Sequence, residues 1–442
     1  MRTILLLMSC SLFWACSTTK MLHKSANEAV LNDAALQTAH VGISIYEPAT
    51  GRYLYNYQGD KYFVPASNIK IPTCYAAMKY LGDSLVGLRV VQQSDHLFIS
   101  GTADPTFFHE DFKTQPVFNY LKQVANSKFN VWYREKTQQP VHWGSGWSWS
   151  DYDADYMTER NAFPIYGNTV SFTGRFDSID VFPQYFKKQI LSERSTPGGY
   201  VSEVNREMRT NNFNTIAYGK MDRKLNVPFV TSDTLTFKLL MEALNNPQNF
   251  VGPNVAPPIL FKNEQQQIFA IHSQPTDSLL KPMMHRSDNF FAEQSLLMVS
   301  NERLGVMNDA KIIDTILKTD FKDLPQKPRW VDGSGLSRYN LFSPQDFVFI
   351  LNKMKNEFGM ARIKNIFATG GEGTLSSYYK RDSTFIYAKT GTLSGVVAIS
   401  GFLFTKKGKE LIFSVLVNNH QGSATNVRRA VEKFIGGVRE RF

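Results

Sequence analysis

A chain of 442 residues exceeds what one simple core usually holds, so two domains, or one domain with a large insertion, is the expectation. With 43% hydrophobic and 13% aromatic residues, the composition is that of a folded globular protein and excludes a disordered chain. The net charge of +10 comes from lysines and arginines spread along the sequence, with no dense basic block and no zinc-finger, helix-turn-helix or RNA-recognition signature. That argues against nucleic acid as a partner and leaves anionic surfaces, wall polymers or plain solubility.

The first element is a leader, MRTILLLMSCSLFWACSTTK (1–20). Arg2 is a short positive region, and Ile4 to Trp14 is an apolar run too short to span a bilayer as a permanent helix. The run meets Ala15-Cys16-Ser17, which resembles a bacterial lipoprotein signal with Cys16 as the lipidated residue; plain secretion with cleavage nearby is the alternative. Both readings export the protein, to a periplasmic location and, through the lipid, to an envelope membrane. Of the three cysteines, Cys10 and Cys16 lie in this leader, so Cys74 has no partner for an intrachain disulfide in the folded part and is expected as a small buried residue.

VGISIYEPATGRYLYNY (41–57) reads as two strands around a Pro48-Thr50-Gly51 turn. ASNIKIPTCYAAMKYLG follows as a helix that begins near Ser67, tolerates Pro72 early and stops at Gly82. Residues 85–265 are less regular, with GTADPTF, the aromatic cluster WYREKTQQPVHWGSGWSWSDYDADY and short strand-like runs; they are expected to be a partly β insertion. Helices are expected over 288–305, ending at Gly305, and 343–358, with Ser343 as N-cap and Pro344 in the first turn. Strands over 384–392, 396–405 and 411–419 and a helix over about 424–435 complete the chain. The expected division is therefore 1–20 as signal and tether, 21–84 plus 266–442 as one α+β domain, and 85–265 as the insertion.

S-x-x-K occurs four times, at Ser17–Lys20, Ser67–Lys70, Ser278–Lys281 and Ser377–Lys380. Two further strings choose among them: Ser287-Asp288-Asn289 and Lys389-Thr390-Gly391. S-x-x-K, S-D-N and K-T-G in that order form the signature set of penicillin-interacting serine enzymes. Ser17–Lys20 lies in the tether, Ser377–Lys380 follows S-D-N, and Ser278–Lys281 precedes it too closely, which leaves Ser67–Lys70. The chemistry agrees. A serine hydroxyl needs a base, and residues three apart on a helix share a face, so Lys70 can reach Ser67 Oγ. A lysine is a base only when neutral, and Lys389 is expected to supply the second cation that favours that form. The helix start aims amide dipoles at a developing oxyanion, for which the Ser67 and Thr392 N–H groups are the expected donors.

The chain resembles the D-alanyl-D-alanine carboxypeptidase/endopeptidases of the class C low-molecular-mass penicillin-binding proteins, peptidase family S13. Beyond the three motifs, GTADPTF (101–107), GWSWSDYDADY (146–156), DGSGLSRYNLFSP (332–344), GGEGTL (370–375) and KTGTLSGVVAISGF (389–402) carry the resemblance. It implies a β-lactamase/D,D-peptidase-like transpeptidase domain, an antiparallel five-stranded sheet with helices on both sides, and no cofactor. It implies that Ser67 is acylated, that Lys70 is the general base, that Ser287 relays a proton to the leaving D-alanine, and that Asn289 holds the peptide stem. Lys389, Thr390, Gly391 and Thr392 would bind the terminal carboxylate of a peptidoglycan stem peptide or a β-lactam. Asp151 would read the free amine of the stem's diamino acid, with Leu393 lining that pocket.

Two other functions stay open on the residues alone. One is a β-lactamase, against which stand the long segment between Ser67 and Ser287 and the absence of an E-x-x-L-N string. The other is a non-catalytic wall-binding lipoprotein, against which stands the full motif set. DGSGLSR is expected as a structural loop, with Arg338 a candidate substrate contact. His285 is expected in local packing, and the eight histidines show no metal-binding spacing.

Overall fold

The computed structural model describes residues 20–134, 140–253, 255 and 266–442. Among the described residues, the chain folds as two compact units, one within 20–76, 280–288 and 313–442, the other within 77–279 and 289–312. These bounds differ from the expected insertion at 85–265, because the second unit also takes in the stretches 77–84, 266–279 and 289–312. The strand Gln266–Pro275 pairs antiparallel with Ser84–Gln93 in the second unit, which draws both ends of the segment into one sheet.

The first unit is built on a mixed-origin antiparallel sheet. Its strands are β1 (His40–Glu47), β2 (Arg52–Tyr57), β3 (Ala368–Thr369), β4 (Ile386–Leu393), β5 (Val396–Phe404) and β6 (Glu410–Asn418), in the spatial order β3-β4-β5-β6-β1-β2. The five strands expected from sequence are all present, and the two-residue β3 adds an edge. Three helices matter for the site: α1 (Lys70–Tyr80), α2 (Pro344–Ile366) and α3 (Ala424–Arg441). Period-two alternation sorts the faces of the sheet. Val41, Ile43 and Ile45 of β1 and Val397 and Ile399 of β5 share one core with Val427, Val431 and Phe434 of α3. Gly42, between them, faces the other way, where a Cβ would run into the Phe63 ring and Pro344 at the start of α2. Helices thus cover both faces. Each Val, Ile or Phe so enclosed contributes about 1.5–3 kcal/mol of burial.

Local sequence explains the ends of these helices. Ser343 Oγ accepts from the Asp346 N–H at 3.1 Å, and Asp346 Oδ2 accepts from the Ser343 N–H at 2.9 Å, a reciprocal cap at the start of α2. The expected end at 358 falls at Gly359, whose φ of +76° breaks the helix before it resumes to Ile366. Residues 66–69 form a 3₁₀ turn ahead of α1, so Pro72 sits in the first turn of α1, where its missing N–H costs little.

The second unit has its own core, including Leu88, Ile99, Leu121, Phe163, Phe172, Phe213 and Leu239. It contains a five-stranded sheet and two three-stranded sheets. The helix Asn289–Leu304 belongs to it and ends at Gly305, φ +71°, as the sequence leads one to expect. No helix among the described residues is long and apolar enough to cross a membrane.

Candidate active site

The turn before α1 presents Ser67. Ala66 adopts φ +47°, a left-handed backbone that an alanine takes only at a cost of about 1–3 kcal/mol, so the surrounding contacts must hold it. They are specific. Asn68 Nδ2 donates to Ser400 Oγ of β5 at 2.7 Å, and Ser400 Oγ donates to Ser414 Oγ of β6 at 2.8 Å. Val64 is clamped by Asn418, whose Oδ1 accepts from its N–H at 2.7 Å and whose Nδ2 donates to its carbonyl at 3.0 Å. The Ser67 turn is thereby pinned to the two central strands.

Lys70 is fully buried, and Ser67 is half-buried. Lys70 Nζ lies 3.0 Å from Ser67 Oγ and donates to the Ser334 carbonyl at 2.8 Å. That carbonyl belongs to the D-G-S-G loop, which therefore does more than the structural task expected of it. Asp332 shapes the loop: Oδ1 accepts from the Gly335 N–H at 2.9 Å and Asn340 Nδ2 at 2.8 Å, and Oδ2 from the Ser337 N–H at 2.7 Å. Gly335 has φ +83°, and a Cβ there would collide with the Ala66 carbonyl. Glycine is needed on both counts.

K-T-G lies on β4. β3 pairs only with Tyr387 and Ala388, so from Lys389 to Leu393 no strand among the described residues covers the outer edge. Gly391 lets this edge approach the Ser67 turn, since a Cβ there would sit 2.6 Å from the Pro65 carbonyl oxygen and 3.0 Å from Ser67 N. Lys389 is fully buried; its Nζ donates to Ser287 Oγ at 2.9 Å and to the Thr390 carbonyl at 2.7 Å. Burial first, and then the charge of Lys70, hold its pKa well below the ordinary lysine range. The sequence expectation had Lys389 as the cation acting on Lys70. The structure places the same repulsion on Lys389, which is enclosed and has no carboxylate to offset it among its hydrogen-bond partners. Ser287, like Ala66, takes a left-handed backbone, at φ +66°.

The model of the D-Ala-D-Ala carboxypeptidase 3 (S13) family matches residues 23–436. The chain belongs to this family. A D-alanyl-D-alanine carboxypeptidase of Actinomadura sp. (strain R39) is 26% identical over 90% of this chain and 81% of its own length. Penicillin-binding protein 4 of Haemophilus influenzae superposes with a TM-score of 0.71 at 20% identity, covering 94% of this chain and 98% of its own. A second structure of that protein, complexed with a novel β-lactam, gives 0.68 at 17% identity over 95% and 98%. At such identities the structural likeness establishes the fold, and the fold is the penicillin-recognising one expected from the motifs. The enzyme class expected from them, serine-type D-Ala-D-Ala carboxypeptidase, is that of the S13 family.

The remaining expected residues of this S13 chain fall as follows. Thr390 Oγ1 donates to Thr374 Oγ1 at 2.7 Å, which gives the GGEGTL string a part in shaping K-T-G. Thr392 is exposed, and Leu393 is half-buried at the end of β4. Arg338 Nη2 donates to the Ser394 carbonyl at 2.8 Å, bracing the turn after β4. His285 is packed beside Glu372, 3.8 Å away, with its pKa lowered chiefly by burial; Gly373, at φ +48°, lies against its carbonyl. Asn289 and Asp151 belong to the second unit. There, Asn289 Nδ2 donates to the Tyr156 carbonyl at 2.9 Å, tying the start of its helix to the tryptophan-rich segment. Asp151 sits in a 3₁₀ turn, 149–151, with Asp153 and Asp155 close in sequence. Together with burial, these three acids raise the Tyr156 pKa. Asp153, Asp155 and Tyr156 were not singled out by sequence, although the run DYDADY displays them. Cys16 lies outside the described residues.

Proposed function

We propose that this S13 carboxypeptidase works through an acyl-enzyme on Ser67. The observation that carries the reading is the Ser67 Oγ–Lys70 Nζ distance of 3.0 Å, with Lys70 itself enclosed. Neutral Lys70 takes the hydroxyl proton as Ser67 Oγ attacks the carbonyl carbon of the penultimate D-alanine. The Ser67 and Thr392 N–H groups stabilise the oxyanion. The C–N bond then breaks, and the leaving D-alanine nitrogen takes a proton through Ser287, which Lys389 holds at 2.9 Å. Water hydrolyses the ester and restores Ser67. The open edge of β4 suits an extended peptide added as one more strand, with Asn289 holding the stem and Thr390, Gly391 and Thr392 its carboxylate end. Asp151 and Leu393 read the amine of the diamino acid. β-Lactams acylate the same serine, and peptide cross-links are a second substrate class.

Export to the periplasm, lipidation at Cys16 and the role of residues 85–265 as an accessory insertion are parts of the same proposal. The test is intact-mass spectrometry of the protein over time with benzylpenicillin, beside Ser67→Ala. A stable gain of one drug mass, absent in the variant, supports a slowly deacylating carboxypeptidase. A transient adduct with rapid drug hydrolysis moves the protein to the β-lactamases. No adduct in either protein overturns the acyl-serine reading and leaves a non-catalytic wall protein.

A further inference from the structure

A carboxypeptidase must read the charge at the end of its substrate, and Lys389 is poorly suited to do so alone. Its Nζ is occupied by Ser287 Oγ and the Thr390 carbonyl, and burial with a neighbouring lysine works against a constant positive charge. Alternation along β4 sends Lys389 to one face and Thr390 and Thr392 to the other, where Ile386 and Ala388 pack in the core shared with α3. On that face stands Arg428, in the second turn of α3. Arg428 Nη2 donates to Thr392 Oγ1 at 2.6 Å. Arg428 also lines, with Thr390, Tyr378 and Ile399, a cavity of about 20 Å³, room for a single water.

The guanidinium is held and not neutralised. Its Cζ lies 5.9 Å from the centre of the Tyr378 ring. The adjacent Arg429 pairs with Glu432 at 2.5 Å, whereas Arg428 has no ion-pair partner among the described residues. A guanidinium keeps its proton in proteins and carries five donors in a fork that matches a carboxylate; the bond to Thr392 uses one of them.

We infer that Arg428 is the cation that recognises the terminal carboxylate of the donor peptide, acting with the Thr390 and Thr392 hydroxyls as a specificity-determining residue. The inference rests on the reading of β4 as the carboxylate-binding strand. The bland alternative is that Arg428 only steadies the Thr392 side chain.

The test compares full-length wild type, Arg428→Gln and Arg428→Lys on two probes, diacetyl-L-Lys-D-Ala-D-Ala and the same peptide ending in a carboxamide. Arg428→Gln keeps a donor for Thr392 and removes the charge. A charge-assisted hydrogen bond is at stake, so kcat/KM on the acid should fall roughly 10- to 100-fold, chiefly through KM. The amide should change little, and Arg428→Lys should recover part of the loss. Equal loss on both peptides would mean a structural role, and no loss on the acid would mean no role; either overturns the inference and leaves the carboxypeptidase reading standing. If wild type cleaves neither peptide and forms no penicillin adduct, that reading falls and the inference falls with it.

Discussion

Lys70→Met separates the chemistry of the site from its stability. Two terms act on folding in opposite directions. The Ser334 carbonyl loses the donor at 2.8 Å, which costs about 1–3 kcal/mol if the oxygen stays buried. Against that, a fully enclosed polar amine, which costs about 1–3 kcal/mol to take out of water, is replaced by an apolar side chain. Methionine has about the same length and needs no partner. The two terms are of similar size, so thermal unfolding should stay close to that of wild type. Catalysis has no such offset. Losing a general base slows reaction by about 10²–10⁴, equivalent to about 2.7–5.4 kcal/mol at 1.36 kcal/mol per tenfold. The assay is the rate of the benzylpenicillin adduct by intact mass, with thermal unfolding on the same samples. A folded variant that acylates within about tenfold of wild type would refute Lys70 as the base. A sharp fall in melting temperature would refute the energetic argument.

Gly335→Ala places a Cβ against the Ala66 carbonyl at a φ of +83° and should cost at least about 2 kcal/mol while slowing acylation; an unchanged unfolding curve would contradict it. Asp332→Asn turns one acceptor of the D-G-S-G loop into a donor facing a backbone N–H, so a loss of about 1–3 kcal/mol and slower adduct formation are expected by the same two measurements. Burial raises the Asp346 pKa to about 6, so the folded state binds its proton more tightly than the unfolded chain does. That contribution is present below the unfolded value and is lost as pH rises from about 4 to about 6. Wild type should therefore lead Asp346→Asn by about 2–3 kcal/mol more at pH 4 than at pH 7 in denaturant titrations, and a pH-independent gap would contradict the assignment.

What sequence shows best is what alternation and caps dictate. The five long strands of the first unit, the Ser343 cap and the stop at Gly305 follow from period-two patterning, short polar side chains and a left-handed glycine, whereas the continuation of α2 past Gly359 to Ile366 was not expected. The approach of Lys70 to Ser67 Oγ was legible from their spacing, three apart at a helix start, whereas the contact of Lys389 with Ser287 was not anticipated. Less legible was anything set by a backbone group or a distant side chain. Nothing in D-G-S-G announces that the Ser334 carbonyl will receive Lys70, since carbonyls carry no residue identity. Arg428 hid among the arginines of an amphipathic helix, where a solvated face is the ordinary reading. The unit bounds were drawn differently because Ser84–Gln93 and Gln266–Pro275 are joined by pairing that no local pattern reveals.

The pairing of β1 with β6, from His40 opposite Asn418 to Tyr46 opposite Ile412, has a consequence for synthesis. A chain emerging from its first residue presents Ser67 and Lys70 long before the anchors for that turn exist. Asn418 for Val64, Ser400 for Asn68 and the Ser334 carbonyl for Lys70 all arrive later. Long-range strand pairing is slow, because the loop must close before any contact rewards it. Until it closes, the serine is an ordinary alcohol. Penicillin labelling therefore doubles as a folding clock: the fraction of pulse-made chains that accepts the drug reports how many have brought their distant segments together.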